Sequence, residues 1–299
     1  MNLAASVDLG TNTCLLLIAE MSEEGKEVLH ARADFARVIR LGEGVDQSRK
    51  LQPKPMDRAV VCLKEYSEIV RSHGLDPAQV CCVATSQARD AQNSAEFFER
   101  VQKETGFRFR TLTGEEEAHA TFIGALLPGM DPQGSSVIDI GGGSTEIITL
   151  SQKKSLDMGS VRFTERYLKS DPVTDDEFWS CQAAIDSMIE ASRLSESQGT
   201  LVAVAGTATT LAAWYLQLQS FDASKIDGLI LTRGDIHRMV EELKWRTLEE
   251  RKTLPGMEPL RADVLLAGAL ILWRTMELLG FSQCQVSSRG LRYGVLSVR

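Results

Sequence analysis

Basic charge is scarce in this 299-residue chain: 33 Lys and Arg stand against 41 Asp and Glu, a formal net charge of -8, and there are only four histidines. Bulk electrostatics therefore exclude a broad nucleic-acid-binding surface. A polyanionic ligand would have to be held by a local patch working against the overall charge. The six cysteines, Cys14, Cys62, Cys81, Cys82, Cys181 and Cys284, show no close metal-ligand spacing. Most sit in apolar runs, which predicts buried thiols in a reducing compartment. The amino terminus lacks a basic segment followed by an apolar run and a small-residue cleavage site, so no secretory leader is expected. The longest apolar run, Val264 to Trp273, is too short to span a bilayer. A cytoplasmic protein with no membrane and no nucleic-acid partner is expected, and the sequence leaves a homodimer open. Solenoid repeats and low-complexity segments are missing too. The length favours two domains over one large one.

What the chain does contain is organised around Val137 to Ile148. Val137, Ile138 and Ile140 read as a buried strand that carries Asp139. Gly141-Gly142-Gly143-Ser144 cannot continue a strand cheaply, and Thr145-Glu146-Ile147-Ile148 resumes a β-rich run. Such a hairpin can point several backbone N–H groups at an anion, while Asp139 and Glu146 bring carboxylates to the same place. Carboxylates beside an anion cradle need a cation, a water or a transferring proton between them, which points to phosphate chemistry. A tight surface turn is the plainer alternative. A second copy of the pattern weighs against it: Val7-Asp8-Leu9-Gly10-Thr11-Asn12-Thr13 is again a strand ending in Asp-x-Gly before hydroxyl and amide side chains. The two copies imply two related α/β half-domains facing each other across a cleft. Leu127 to Gly134 reads as the linker, placing the domains at 1–127 and 128–299.

Other segments extend this frame. A helix is expected over Asp57 to His73, stopped by Gly74, followed by a strand over Val80 to Ala84. Thr85 to Ala91 reads as a polar stretch at that strand's carboxyl end, where ligands bind in open α/β sheets. Arg89 there is either a phosphate contact or a surface arginine paired with Asp90 or Glu96. If Thr113 caps the next helix, Glu116 is the reciprocal partner, and Glu117, one place further round, could face a cleft and orient water. His119 reads equally as a support residue. Arg162 could hold phosphate or brace a loop carboxylate. Leu201 to Ala205 is a core strand running into Gly206-Thr207-Ala208-Thr209-Thr210, a hydroxyl-rich helix start suited to an anion. It lacks the Gly-Lys-Ser/Thr ending of a P-loop. Arg261 to Leu279 is expected as one long apolar helix, Gln283 to Val286 as a last strand, and Gly290 to Leu296 as part of a closing loop and short helix.

With both hairpins, the Thr85-x-x-x-Arg89-x-Ala91 segment, Gly114-Glu115-Glu116-Glu117-Ala118 and Gly206-Thr207-x-Thr209-Thr210-Leu211 in this order, the chain resembles the exopolyphosphatase/guanosine pentaphosphate phosphohydrolase family. The resemblance covers essentially the whole chain. It implies an α/β, two-domain actin-like ATPase fold, ribonuclease H-like and shared with sugar kinases and Hsp70, with an interdomain active site. It implies removal of a terminal phosphate from inorganic polyphosphate, or of the 5′ γ-phosphate from guanosine pentaphosphate, with Mg2+. By motif position Glu117 resembles the catalytic base and Glu146 its active-site partner. Asp139, with Glu146, resembles the metal-associated carboxylates, and Arg89 resembles the phosphate-binding arginine. Asp8, Gly10, Thr11, Asn12, Thr13, Gly141, Gly142, Gly143, Ser144, Gly206, Thr207 and Thr209 resemble phosphate-facing loops.

Thr11 and Thr13 stand where family members commonly have serine, and Tyr293 where they usually have glutamate. Longer members carry a further helical domain, and none follows residue 299 here, from which a preference for short chains or guanosine pentaphosphate is expected. A kinase or ATPase of the same superfamily, and a non-catalytic guanosine tetra- or pentaphosphate-binding regulator, are the rival readings.

Overall fold

Leu3–Leu9 (β1) is buried on both faces from its second residue onward, and it forms the centre of the first sheet. It pairs antiparallel with Thr13–Met21 (β2), which pairs antiparallel with Val28–Val38 (β3). On its other side β1 runs parallel to Cys81–Ala84 (β4), and β4 runs parallel to Phe109–Thr111 (β5). The order is β3-β2-β1-β4-β5. The computed structural model describes residues 2–25, 27–150, 152–194 and 199–298.

The second sheet repeats this plan. Ser135–Ile140 (β6) pairs antiparallel with Thr145–Ile148 (β7), which pairs antiparallel with Lys153–Leu156 (β8). On its other side β6 runs parallel to Thr200–Val204 (β9). Ile230–Thr232 (β10) and Gln283–Val286 (β11) complete the order β10-β11-β9-β6-β7-β8. Read from the far edge, β8-β7-β6-β9-β11 matches β3-β2-β1-β4-β5 in pairing sense, with β10 added outside. Both matching edges carry charge on exposed strands, Arg32, Asp34 and Arg37 on β3 and Lys153 and Lys154 on β8, which discourages edge-to-edge association.

The chain divides into one unit of Met1–Gly124 with Leu291–Arg299 and a second of Ala125–Gly290. The expected division at 127/128 assigned the C-terminus to the second domain. Instead the helix Leu291–Ser297 packs on the first sheet, where Leu291 and Val295 join Val83, Leu112 and Ala120 in one apolar cluster. Polar bonds hold it as well. Ser6 Oγ donates to the Arg292 carbonyl at 2.6 Å, and Arg292 forks onto both Asp34 oxygens at 2.8 Å. The Tyr293 hydroxyl donates to Asp34 Oδ2 at 3.1 Å, a place where glutamate would set a second carboxylate against the first.

Local differences from expectation have local causes. The helix expected from Asp57 begins at Pro53, because proline in a first turn needs no hydrogen-bonded N–H and already has a helical φ. Residues Ser86–Asp90, within the polar stretch that follows the strand, form a short helix. The long apolar helix is shorter than expected, Leu265–Leu278, with a separate 3-10 turn over Pro259–Arg261. It packs in a core with Leu211, Ile236 and Ile185 from three other helices. Among the described residues no helix is long and apolar enough to cross a membrane.

Candidate active site

In the first unit the turn between β1 and β2 closes with Gly10 N–H donating to the Thr13 carbonyl at 2.9 Å. Asp8 stands at the end of β1, beside Val83 of β4. The loop after β3 wraps this turn: the N–H groups of Ile39 and Arg40 donate to the Asn12 carbonyl at 2.9 and 3.0 Å, and Gly42 N–H donates to the Thr11 carbonyl at 2.8 Å. Asn12 Oδ1 is buried with no hydrogen-bond partner among the described residues, a polar atom that the fold leaves for another molecule.

Thr11 behaves differently from expectation. Its hydroxyl turns into the protein, lying 3.0 Å from Ser86 Oγ and donating to Gln87 Oε1 at 3.1 Å. Gln87 Nε2 in turn donates to the Leu9 carbonyl at 2.8 Å, so the helix Ser86–Asp90 is bolted to the turn. The methyl group that distinguishes Thr11 from serine fills the space over Gly42, where a Cβ would come within 2.2 Å of it.

The same short helix carries Arg89, and the helix Gly114–Ala125 carries Glu117. Arg89 Nη1 donates to Glu117 Oε2 at 2.6 Å and to the Leu112 carbonyl at 2.9 Å. Glu117 is only 6% exposed, and this burial pushes its carboxyl above the usual range, with the Arg89 guanidinium opposing the rise. Its neighbour Glu116 does the capping, accepting from Thr113 N–H at 2.8 Å while its own N–H donates to Thr113 Oγ1 at 3.2 Å. Those bonds hold Glu116 below the usual range. His119 is exposed on this helix. Adjacent glutamates thus differ in setting: Glu116 caps the helix start, and Glu117 is a buried carboxylate paired with Arg89.

In the second unit the turn between β6 and β7 repeats the first one closely. Gly141 N–H donates to the Ser144 carbonyl at 2.9 Å. Asp139 and Glu146 are direct partners in the β6–β7 register, so their side chains leave the same face. Glu146 is buried and accepts from Ser155 Oγ at 2.7 Å, while Asp139 is half-buried. The carbonyls of Gly141 and Gly142 take the first N–H groups of the helix Ser160–Tyr167: Ser160 on Gly141 at 2.9 Å, and Val161 and Arg162 on Gly142, each at 3.0 Å. With those carbonyls turned toward the helix, the N–H groups of Gly142, Gly143 and Ser144 find no backbone carbonyl among the described residues. Consecutive unsatisfied N–H groups in a glycine turn make an anion nest. Arg162 braces a carboxylate, Asp157, at 3.1 Å.

The helix Ala205–Tyr215 follows β9 directly, and Ala205 is held at φ 66°, a left-handed conformation uncommon for a residue with a side chain. The threonines were expected to offer hydroxyls here. Instead Thr209 Oγ1 donates back to the Ala205 carbonyl at 3.0 Å, and Thr207 packs its side chain against Gly268. What this helix start offers an anion is its backbone and a cation: the Arg261 guanidinium lies so close over Gly206 that a Cβ there would stand 2.1 Å from Nη1.

Compared with known proteins, the match is extensive: residues 18–298 fit the Ppx/GppA phosphatase family. The chain belongs to that family. Exopolyphosphatase 2 of Mycobacterium tuberculosis is 33% identical over 313 residues, covering 97% of this chain and 96% of its own length. A bifunctional 3-dehydroquinate synthase/phosphatase of Fusobacterium nucleatum is 28% identical over 292 residues, and the chain spans 44% of that protein's length. Among solved structures, the Ppx/GppA family member of Aquifex aeolicus superposes with a TM-score of 0.80 at 32% identity, covering 99% of this chain and 96% of that one. The fold is α/β and related to the actin-like ATPases.

Arg261 is a candidate site residue that sequence reasoning missed. It was placed at the head of an apolar helix, and only the missing side chain at Gly206 marks where its guanidinium goes. For a metal, the relevant donors are Asp139 and Glu146, hard oxygen ligands on one face of one hairpin. That suits Mg2+, which is held by one or two carboxylates with water and substrate oxygens completing the shell. No cluster of three or more His, Cys, Asp or Glu side chains placed to bind a metal occurs among the described residues.

Proposed function

We propose that this protein is a phosphoanhydride hydrolase that releases the terminal phosphate of inorganic polyphosphate by attack of water. The observation that carries this reading is Glu117: a buried carboxylate with raised basicity, oriented by Arg89 at 2.6 Å, on the same unit as a phosphate-type turn. Glu117 accepts the proton of the attacking water, and burial makes it a better acceptor than an exposed glutamate. Arg89 fixes the direction of that carboxylate with Nη1, leaving other guanidinium nitrogens for a phosphate oxygen. The N–H groups of Gly142, Gly143 and Ser144 stabilise charge on the transferred group, and Arg261 and the helix start at Ala205 add positive potential. Asp139 and Glu146 would hold Mg2+, which neutralises phosphate charge. The name of the Mycobacterium relative favours polyphosphate over guanosine pentaphosphate as substrate. Six unbridged cysteines support action in the reducing cytoplasm.

The test is phosphate release, with Mg2+, from long-chain polyphosphate, short polyphosphate and guanosine pentaphosphate, using wild type and Glu117→Gln. Release by the wild type should fall by roughly two orders of magnitude in the variant. Unchanged turnover where chemistry is rate-limiting removes Glu117 as base. Phosphoryl transfer from ATP to an acceptor, without hydrolysis, replaces the reading with a kinase; tight guanosine pentaphosphate binding without release replaces it with a regulator. If guanosine pentaphosphate is the better substrate, the enzyme is a guanosine pentaphosphate phosphohydrolase.

A further inference from the structure

The two carboxylates suited to Mg2+ do not stand alone on their sheet. In the register of β6, β7 and β8, Asp139 lies opposite Glu146, and Glu146 lies opposite Ser155. Ile138 and Ile140 of β6, Ile147 of β7 and Leu156 of β8 line or pack against one apolar core. Alternation along each strand therefore sends Asp139, Glu146 and Ser155 to the other face, as one polar row across three strands.

Ser155 belongs to an exposed strand, where water could satisfy its hydroxyl. Instead its Oγ donates to Glu146 Oε1 at 2.7 Å, a charge-assisted bond to a side chain that is only 1% exposed. A glutamate carboxylate hangs on three side-chain torsions, the last of them broad, so fixing one oxygen settles where the other points. Strand propensity does not ask for serine here, since strands favour β-branched and aromatic residues. The duplicated half supplies an internal comparison. Asp8 takes the place of Asp139 in the first sheet, and its row runs through Leu15 to Ala36. Where leucine replaces the second carboxylate, alanine replaces the hydroxyl behind it.

We propose that Ser155 is a positioning residue for a divalent-cation site on the second unit, its hydroxyl holding Glu146 so that this carboxylate and that of Asp139 serve one ion. This role rests on the hydrolase reading, which supplies the ion, Mg2+. Ser155 touches neither the ion nor the reacting phosphate; it acts through Glu146. A carboxylate already turned to the site has less freedom left to lose when the ion arrives. Hydrogen bonds behind a metal ligand govern affinity by roughly 10–100-fold, and the bond from Ser155 is of that kind.

The test is Mn2+ binding by the full chain freed of metal, read from the loss of the free Mn2+ signal in electron paramagnetic resonance. Titrations run well below the Tm of each variant, so that folded protein is measured. The wild type should bind, and Glu146→Gln should bind about tenfold more weakly or worse, which places the ion. Ser155→Ala should weaken binding about tenfold, and Ser155→Thr, which keeps the hydroxyl on a residue that strands favour, should restore it. Wild-type affinity in Ser155→Ala overturns the proposal. No binding by the wild type, or equal binding by wild type and Glu146→Gln, overturns it as well, because Ser155 then holds no metal ligand. With phosphate release by the wild type intact, each of these results removes the role of Ser155 and leaves the hydrolase standing.

Discussion

Gly159→Ala is the most direct probe of how the second phosphate turn is held. Gly159 has φ -134° and ψ 162°, extended values open to any residue, so the substitution carries no backbone penalty. Its effect has to come from contact. A Cβ at 159 would lie 2.3 Å from the Gly142 carbonyl oxygen, 2.4 Å from its carbon and 2.5 Å from Gly143 N. All three are backbone atoms of the nest, tied in place by Val161 and Arg162 N–H bonds to Gly142, so no side chain can swing aside. Overpacking of this kind costs about 3 kcal/mol at the upper end, and the lost flexibility of the unfolded chain returns about 1, leaving a net cost of about 2 kcal/mol. For a cooperative unit the length of Ala125–Gly290 that is a fall in Tm of roughly 4–8 °C. Calorimetry measures the fall, and phosphate-release kinetics should show activity lost beyond what the unfolded fraction explains, because the N–H groups of the nest are displaced with it. A Tm equal to or above wild type would show that the turn and the following helix are not in this contact, and the derivation of the nest would go with it.

Two further outcomes follow from the first unit. Gly42→Ala should destabilise because its Cβ meets the Thr11 methyl at 2.2 Å, while Thr11→Ser in the same chain should recover most of the loss; a double-mutant cycle by denaturant titration reads the coupling, and additive effects would contradict the packing. Arg89→Met removes the charge that opposes the rise in Glu117, so the acid limb of the pH–rate profile should move to higher pH, and an unmoved limb would contradict the pairing. The sign for stability is linked: the raised folded-state value means Glu117 favours the fold at low pH, and that contribution is lost as pH climbs through the raised value.

Much of the architecture was legible because it depends on local pattern. The Asp-x-Gly repeat at Asp8 and Asp139 announced two related halves, and the sheets share five strands in matching order. Thr113 and Glu116, three residues apart, form the reciprocal cap their spacing predicts. Helix starts were less legible: the helix expected from Asp57 begins one turn earlier at Pro53, where the apolar spacing gives no signal. The C-terminal helix was assigned to the wrong unit because nothing local to Leu291–Ser297 says which sheet it will cover; Val83, Leu112 and Asp34, distant in sequence, decide it.

At the candidate site the division is sharper. Residue types and spacing determined that strand ends carry carboxylates, that glycines and hydroxyls follow them, and that Glu117 is one place beyond a capping glutamate. Tertiary structure decided which atoms are available for chemistry. Thr11, Thr207 and Thr209 carry the right hydroxyls, yet Thr11 and Thr209 spend theirs on the protein and Thr207 packs on Gly268. Arg261 had no motif to mark it, yet its guanidinium lies over the helix start. The physical reason is that periodicity and turn chemistry are set by neighbours along the chain. Hydrogen-bond partners, burial and the basicity of a carboxylate are set by neighbours in space, and those exist only once the chain has folded.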